Sequence, residues 1–428
     1  MAFIEIHGPC RIQGRLTVQG AKNAVLPMMA ASVLNRGRTV LENVPQIQDV
    51  FCMMGILDSL GACCRLTGNR LEIDTAAMSG WRIAQEEMKK MRSSIMLLGA
   101  LLGRFHEAEV YRPGGCMIGK RPIDLHLQAL RTLGGQIIEE PEADGRLYAH
   151  CRELHGAEIT FPVSSVGAVE NALFAAVAAD GRTVLRGCAR EPEIQQLCSF
   201  LNSMGASIRG IGTELLIVEG GLPLHDTRFR VGGDRIAAGT YLMAAVAGGG
   251  EVILDGIRTE ELENVIEVLR EMGVSIYSEP TLLYARCGNR PQAVSVKTGP
   301  YPEFPTDLQP VLMAALSRAE GRSRLEETVF ENRFAAAQEL QKMGAHIVCN
   351  ARTAWIEGQE KLLGAQVQAK DLRGGAALIA AALGAEGWTQ VSDCEHIERG
   401  YEDICRDLQH LGVQIRRRED DQNRQDAH

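Results

Sequence analysis

The sequence predicts an α/β protein built from six copies of one unit, and three observations carry that prediction. The first is a hexapeptide that recurs with glycine in its fifth place: LDSLGA at 57–62, LRTLGG at 130–135, LNSMGA at 201–206, LREMGV at 269–274, LQKMGA at 340–345 and LQHLGV at 408–413. Its glycines, Gly61, Gly134, Gly205, Gly273, Gly344 and Gly412, are spaced by 68 to 73 residues. The second is the alternating apolar run that follows the glycine, and the third is a separate alanine-rich segment that recurs with the same period. A regular internal period of this kind marks a repeat architecture.

Each element of the unit follows from its residues. Within the hexapeptide, a leucine and a Leu or Met three positions later share one helical face, and the glycine is placed to end the helix in the left-handed conformation. The runs SIRGIGTELLIVEG (207–220) and SIYSEPTLLYARCG (275–288) alternate with period two around turn residues and predict hairpins. The alanine-rich segments beginning at 30, 174, 243, 313 and 381 read as helices that end near glycine and lead into a strand, as in FAAVAADGRTVLRGCA.

Two helices and about four strands in some 70 residues exceed the solenoid period of roughly 20–50 residues, so a closed arrangement is expected over an open superhelix. Helices rich in alanine suit the inside of such a bundle, with sheets packed around them. Six units divide into two domains of three, and FRVGGDRIAAGT (229–240) lies near the midpoint. A cleft between domains is then the default place for a ligand. The closing RRREDDQNRQDAH (416–428) has no apolar periodicity and is expected to be a solvated tail.

Bulk composition excludes several classes. The 428 residues carry 45 Lys and Arg against 54 Asp and Glu, a net charge of −9, which excludes a generally basic nucleic-acid binder and requires anion-binding cations to be gathered locally. The start, MAFIEIHGPCRI, lacks a signal-peptide run and no apolar stretch is long enough to span a bilayer, so a cytoplasmic chain without a membrane partner is expected. Twelve cysteines without a C-x-x-C pair suit reduced thiols over a disulfide or zinc framework. Walker, H-E-x-x-H, G-x-S-x-G and dinucleotide fingerprints are absent from the sequence.

Chemistry is sought where the repeat is interrupted. QGAKNAVLP (19–27) sets Lys22 and Asn23 among small residues ahead of a helix, the lysine being either a surface charge or a contact for carboxylate or phosphate. MKKMRSSI (88–95) puts Arg92 at a helix start, as a solvated cap-region charge or an anion ligand. In YRPGGCMIGKRPID (111–124), Gly114, Gly115 and Gly119 free the backbone around Cys116, while Arg121 supplies positive charge that favours thiolate and Asp124 adds a carboxylate. The competing reading of Cys116 is a small buried side chain.

FPVSSVGAVENA (161–172) offers hydroxyls and N–H groups at a helix start, suited to an anion or ribose, or simply to capping. YPEFPTDLQP (301–310) restrains Asp307 between prolines, as a positioned carboxylate or an N-cap. FENRF, KDLRGG and IERGYED contribute Arg333, Arg373 and Arg399, each a surface ion pair or a ligand contact. Their recurrence at interruptions favours an enzyme acting on an anionic ligand.

At these segments the chain resembles the UDP-N-acetylglucosamine enolpyruvyl transferases. GAKNA, PGGC-x-IG-x-RP-x-DLH, SVGA, REPEI, DRI-x-x-GT, FPTD, FENRF, MGAH, DLR and RGYE occur in family order over nearly the whole length, to about residue 415. The resemblance implies two inside-out α/β barrels of three units each, one of residues 21–230 and a discontinuous one of 1–20 with 231–428. It also implies transfer of the enolpyruvyl group of phosphoenolpyruvate to the 3-hydroxyl of UDP-N-acetylglucosamine, with release of phosphate and with neither metal nor organic cofactor.

Residue roles come with it. Lys22, Arg121 and Arg399 match positions that hold phosphoenolpyruvate, Cys116 a loop thiol that protonates the methylene carbon or aids product release, and Asp307 the carboxylate beside the sugar hydroxyl. Asn23, Arg92, Pro122, Ile123, Asp124, Leu125, Ser164, Ser165, Val166, Gly167 and Val329 match the surroundings of the nucleotide sugar. Arg333 and Arg373 match cations that help the site close on its anions.

Two departures weaken individual nucleotide contacts: Met96 stands where some members carry tryptophan, and PVSSVGA replaces a lysine-containing turn. Two other readings are open to the sequence, a transferase acting on shikimate 3-phosphate and a non-catalytic nucleotide-sugar binder. The cysteine loop argues against the first, and the full set of Lys22, Cys116, Asp307 and Arg399 against the second.

Overall fold

The structure, a computed structural model, describes residues 2–112, 119, 121–140 and 145–419. The chain divides into two compact units. One takes most of the chain between Gly20 and Gly232, and the other takes the segment up to Gln19 with everything from Gly233 onward.

Each unit has three helices in its interior. In the first they are Lys22–Ala31, Leu97–Phe105 and Val166–Ala178; in the second they are Arg235–Gly248, Gln309–Leu316 and Leu372–Gly384. These helices are buried on nearly every face: Arg235 through Ala247 are all shielded, as are Arg373 through Gly384. Small residues are what make this packing possible. A Cβ on Gly239 would fall 2.3 Å from Leu308, and one on Gly99 would fall 2.5 Å from the backbone oxygen of Asn171. Neither position tolerates a side chain without the helices moving apart.

A second set of helices carries the hexapeptide: Gln48–Ser59, Asp124–Thr132, Pro192–Ser203, Glu263–Glu271, Ala336–Lys342 and Ile404–His410. All six predicted glycines have positive φ, between 86° and 105°. In every copy the residue after the glycine donates its N–H to the carbonyl of the hexapeptide leucine, at 2.9–3.2 Å, as in Ala62 to Leu57 and Val413 to Leu408. The glycine N–H bonds the carbonyl three residues back, completing a Schellman cap six times over.

The sheets lie outside the central helices, three to each unit among the described residues. The hairpins expected from the alternating runs are present, with Ser207–Arg209 antiparallel to Leu215–Glu219 and Ser275–Glu279 antiparallel to Leu282–Cys287. Each unit is closed by a strand distant in sequence. Thr227–Arg230 pairs in parallel with Arg38–Glu42, Thr227 opposite Thr39. Ile12–Thr17 pairs in parallel with Gly250–Asp255, and Ala2–Gly8 runs between Ala385–Ser392 and Ile415–Glu419.

That last pairing corrects the sequence reading of the tail. Residues 416–419 are strand, not solvated coil: Arg416 and Arg418 both meet Glu5, at 2.9 and 2.5 Å, and Arg417 meets Glu398 at 2.6 Å. Charge hid the strand, because the partners of these arginines sit far off in sequence.

Candidate active site

In the first unit, Lys22 opens a central helix, at the end where the helix dipole disfavours a cation. Asp49, in the first turn of helix Gln48–Ser59, offsets this with its Oδ2 2.8 Å from Lys22 Nζ, both groups being largely shielded. Asn23 is exposed beside it.

Arg92 begins a 3-10 turn, Arg92–Met96, that runs into helix Leu97–Phe105. Its guanidinium donates to the backbone oxygen of Arg121, so two segments named from sequence are joined. Arg121, Pro122 and Asp124 are exposed, Ile123 is buried and Leu125 is half-buried. Asp124 lies in the first turn of its helix, where a carboxylate is favoured by the helix dipole.

Ser164 is exposed, and Ser165, Val166 and Gly167 are half-buried at the start of helix Val166–Ala178. Ser165 occupies the N-cap position but makes no side-chain cap bond, so the capping alternative is not realised. Further along the same helix, burial and then the neighbouring Glu193 and Glu191 push the Glu170 carboxyl up to about 8. Burial therefore favours its neutral, protonated form.

In the second unit the named residues converge on Asp307. Its Oδ1 is 2.6 Å from Arg333 Nη2, and its Oδ2 accepts from Arg373 Nη2 at 3.1 Å and Nε at 3.3 Å. Arg333 Nε also donates to the Thr306 carbonyl at 3.1 Å. Asp307 lies in the turn Thr306–Leu308 with Pro305 at the N-cap position, so its carboxylate is not serving as a cap. Both arginines are buried, and each spends its charge on this carboxylate instead of standing as an exposed cation.

Residues not singled out from sequence support this arrangement. Tyr401 Oη accepts from Arg373 Nη1 at 3.2 Å and is 2.8 Å from the Thr240 hydroxyl. Burial opposes charge on Arg373, but Asp307 and Tyr401 outweigh it and hold the guanidinium firmly protonated. Buried Glu327 accepts the N–H groups of Val329 and Phe330 at 2.8 and 3.0 Å and the Thr306 hydroxyl at 3.0 Å, fixing the backbone of Val329 against the Asp307 turn.

Arg399 is half-buried at the end of the short helix Glu395–Glu398. The following residues are pinned by Gln19, whose side chain donates to the Gly400 carbonyl and accepts from the Glu402 N–H, each at 2.9 Å. Tyr401 therefore links the Arg399 turn to Arg373. Neither Tyr401 nor Glu327 is singled out by the sequence, although Tyr401 lies in the motif RGYE and Glu327 stands three residues before FENRF. Cys116 lies outside the described residues.

Among the described residues, no helix is long and apolar enough to cross a membrane, and no group of three or more His, Cys, Asp or Glu is placed to hold a metal ion.

Comparison with known proteins places this arrangement. The profile of the family described as EPSP synthase (3-phosphoshikimate 1-carboxyvinyltransferase) matches residues 6–408. A UDP-N-acetylglucosamine 1-carboxyvinyltransferase 2 of Caldanaerobacter subterraneus subsp. tengcongensis is 46% identical over 418 residues, covering 97% of this chain and 99% of its own. A UDP-N-acetylglucosamine 1-carboxyvinyltransferase 1 of Symbiobacterium thermophilum is 45% identical, covering 96% and 94%.

Among solved structures, the enolpyruvyl transferase NikO of Streptomyces tendae superposes with a TM-score of 0.87 at 24% identity, covering 97% of this chain and 99% of its own. An EPSP synthase of Acinetobacter baumannii superposes with a TM-score of 0.75 at 19% identity, covering 98% and 100%. These two establish the fold, that of two inside-out α/β barrels. With its relatives at 42 to 46% identity over nearly the full length, the chain belongs to the EPSP synthase family of enolpyruvyl transferases, on the side of the UDP-N-acetylglucosamine 1-carboxyvinyltransferases.

Proposed function

We propose that this enzyme transfers the enolpyruvyl group of phosphoenolpyruvate to the 3-hydroxyl of UDP-N-acetylglucosamine, releasing phosphate, as a cytoplasmic step that commits the sugar to peptidoglycan. The sugar hydroxyl adds to C2 of phosphoenolpyruvate as its proton leaves and a proton is delivered to C3, giving a tetrahedral ketal that still carries phosphate. Loss of phosphate from C2 and of a proton from C3 then regenerates the double bond. No redox change occurs.

The observation that carries this reading is the fixed carboxylate of Asp307, bonded on both oxygens by Arg333 and Arg373. A carboxylate held this way has one orientation to offer a substrate hydroxyl, which is what a general base requires. Lys22, Arg121 and Arg399 neutralise the phosphate and carboxylate of phosphoenolpyruvate, and Cys116 serves the proton transfer at C3. Asn23, Arg92, the segment Arg121–Leu125, the turn 164–167 and Val329 receive the nucleotide sugar, with Arg333 and Arg373 acting through Asp307.

The test is phosphate release from phosphoenolpyruvate, measured with UDP-N-acetylglucosamine and separately with shikimate 3-phosphate. Release with the nucleotide sugar alone is expected. Release only with shikimate 3-phosphate transfers the chemistry to the other acceptor, and release with neither overturns the reading.

A further inference from the structure

Gln19 crosses 381 residues of sequence to grip the turn that carries Arg399. Its amide spans Gly400–Glu402 as a neighbouring strand would: Nε2 donates to the Gly400 carbonyl and Oε1 accepts the Glu402 N–H, each at 2.9 Å. A reversed amide would set oxygen against oxygen and N–H against N–H, so a single orientation serves both bonds.

The root of this side chain is fixed as well. Val18 is buried and donates to the Asp255 carbonyl at 2.9 Å, while the Gln19 carbonyl accepts the Asp234 N–H at 2.8 Å. Asp234 in turn caps helix Arg235–Gly248, its Oδ1 accepting from Ile236 and Ala237 at 2.8 and 3.1 Å. The grip is therefore anchored to the strand Gly250–Asp255 and to the start of a central helix.

What it grips cannot hold itself. Arg399 closes the four-residue helix Glu395–Glu398, which is too short to be stable without outside contacts. Upstream, Arg417 meets Glu398 at 2.6 Å, but its side chain is 51% exposed, and such surface pairs contribute little. Downstream the hold is firm. A Cβ on Gly400 would lie 2.7 Å from Leu372 Cδ2, so this backbone rests on the first residue of the Arg373 helix. Tyr401 is 1% exposed and bonded to Thr240 and Arg373, and the two Gln19 bonds fall on either side of it.

We propose that Gln19 is the positioning residue of Arg399, closing the backbone that follows it and so fixing the root from which the guanidinium meets phosphoenolpyruvate. This rests on the reading of Arg399 as a phosphoenolpyruvate cation. A long side chain on a loose root loses more freedom each time it binds and spends less of its charge in the right direction. The effect falls on phosphoenolpyruvate and not on the nucleotide sugar.

Kinetics with each substrate varied in turn separate this role from a general loss of folding. Methionine matches the length of glutamine but offers neither the amide donor nor the carbonyl acceptor. In Gln19→Met, kcat/KM for phosphoenolpyruvate should fall about tenfold, with KM for UDP-N-acetylglucosamine within about twofold of wild type. In an Arg399→Met background the guanidinium is gone, so adding Gln19→Met should lower kcat/KM by no more than about twofold, because residues that act through one group do not add. An unchanged kcat/KM for phosphoenolpyruvate in Gln19→Met, equal losses for both substrates, or the full loss repeated in the Arg399→Met background overturns the proposal.

Calorimetry with phosphoenolpyruvate alone needs no turnover. The full-length Gln19→Met protein should bind it with a Kd about tenfold above that of wild type, and an equal Kd sinks the positioning role. Weaker binding in the variant, where even wild type releases no phosphate with UDP-N-acetylglucosamine, leaves Gln19 its role and overturns the proposed reaction. A wild-type protein that does not bind phosphoenolpyruvate overturns both.

Discussion

Arg373 reaches Asp307 across 66 residues of sequence, placing Nη2 3.1 Å and Nε 3.3 Å from a single carboxylate oxygen. The helix that carries Arg373 starts at an aspartate cap, Asp371, which accepts the N–H groups of Arg373 and Gly374. The side chain is thus fixed at its root by the cap and at its tip by Asp307 and Tyr401. Two helix starts in one unit, at 306 and at 371, combine to orient one carboxylate.

Asp307→Asn should lower kcat by at least about a hundredfold, the ordinary contribution of a positioned base. It also removes the charge that offsets two buried guanidiniums, so a stability loss of about 3–5 kcal/mol is expected in denaturant melts. Tyr401→Phe separates the effects: it deletes the hydroxyl that receives Arg373 and should cost about 1 kcal/mol, with a fall in kcat at nearly constant KM. An active Asp307→Asn protein would remove Asp307 from the chemistry.

Lys22 and Asp49 form a pair with side chains only 12% and 4% exposed. Removing one partner of such a pair leaves an uncompensated charge and typically costs about 3–5 kcal/mol, whereas removing both costs less than the sum. Asp49→Asn and Lys22→Met should therefore each lower Tm, and the double variant should recover part of the loss. Additive losses in the melts would show that the two groups do not act on each other.

The elements most legible in the sequence were those fixed by local chemistry. The six glycines could be read because a helix end in the left-handed region selects glycine wherever it occurs, and all six positions have positive φ. The alanine-rich helices could be read as interior for the same reason. Closing strands could not: Thr227–Arg230 pairs with a segment some 190 residues earlier, and nothing in either stretch names the other.

The candidate site divides in the same way. Lys22, Arg92, Asp307, Arg333 and Arg373 stood out at interruptions of the repeat. The supporting residues Asp49, Tyr401 and Glu327 did not, because an ordinary acid or tyrosine acquires its role only when folding brings it to a cation, as at Lys22 and Arg373, or to backbone N–H groups, as at Val329 and Phe330. Ser165 is the converse case: of the two readings its position allows, the cap is one that its side chain does not make.

Glu170 gives the pH prediction. Its carboxyl ordinarily titrates near 4.5, and in the folded chain burial and then Glu193 and Glu191 raise it to about 8. Between those values the folded state keeps a proton that the unfolded chain has released, so stability must decline as pH rises through the window. Glu170→Gln, which cannot ionise, should lose less Tm than wild type between pH 5 and 8 and should be the more stable protein at pH 8. Parallel curves for the two proteins would mean that Glu170 is ionised in the folded state.

Gly273 and Gly20 separate two costs that a glycine can conceal. At Gly273, φ is +86° and no atom lies within 4 Å of an added Cβ, so alanine meets only the left-handed backbone penalty, about 1–2 kcal/mol. At a few degrees per kcal/mol for a unit of this size, Tm should drop by roughly 2–8 °C. At Gly20 an added Cβ would lie 1.7 Å from the carbonyl oxygen of Asn43, so the backbone itself must shift. Gly20→Ala should lose far more stability than Gly273→Ala, and because Gly20 is separated from the Lys22 helix only by its N-cap residue Ala21, phosphoenolpyruvate binding should weaken with it. Equal melting points for the two variants would mean that the close approach at Asn43 relaxes without cost, and that the entry to the Lys22 helix is not held in place by that contact.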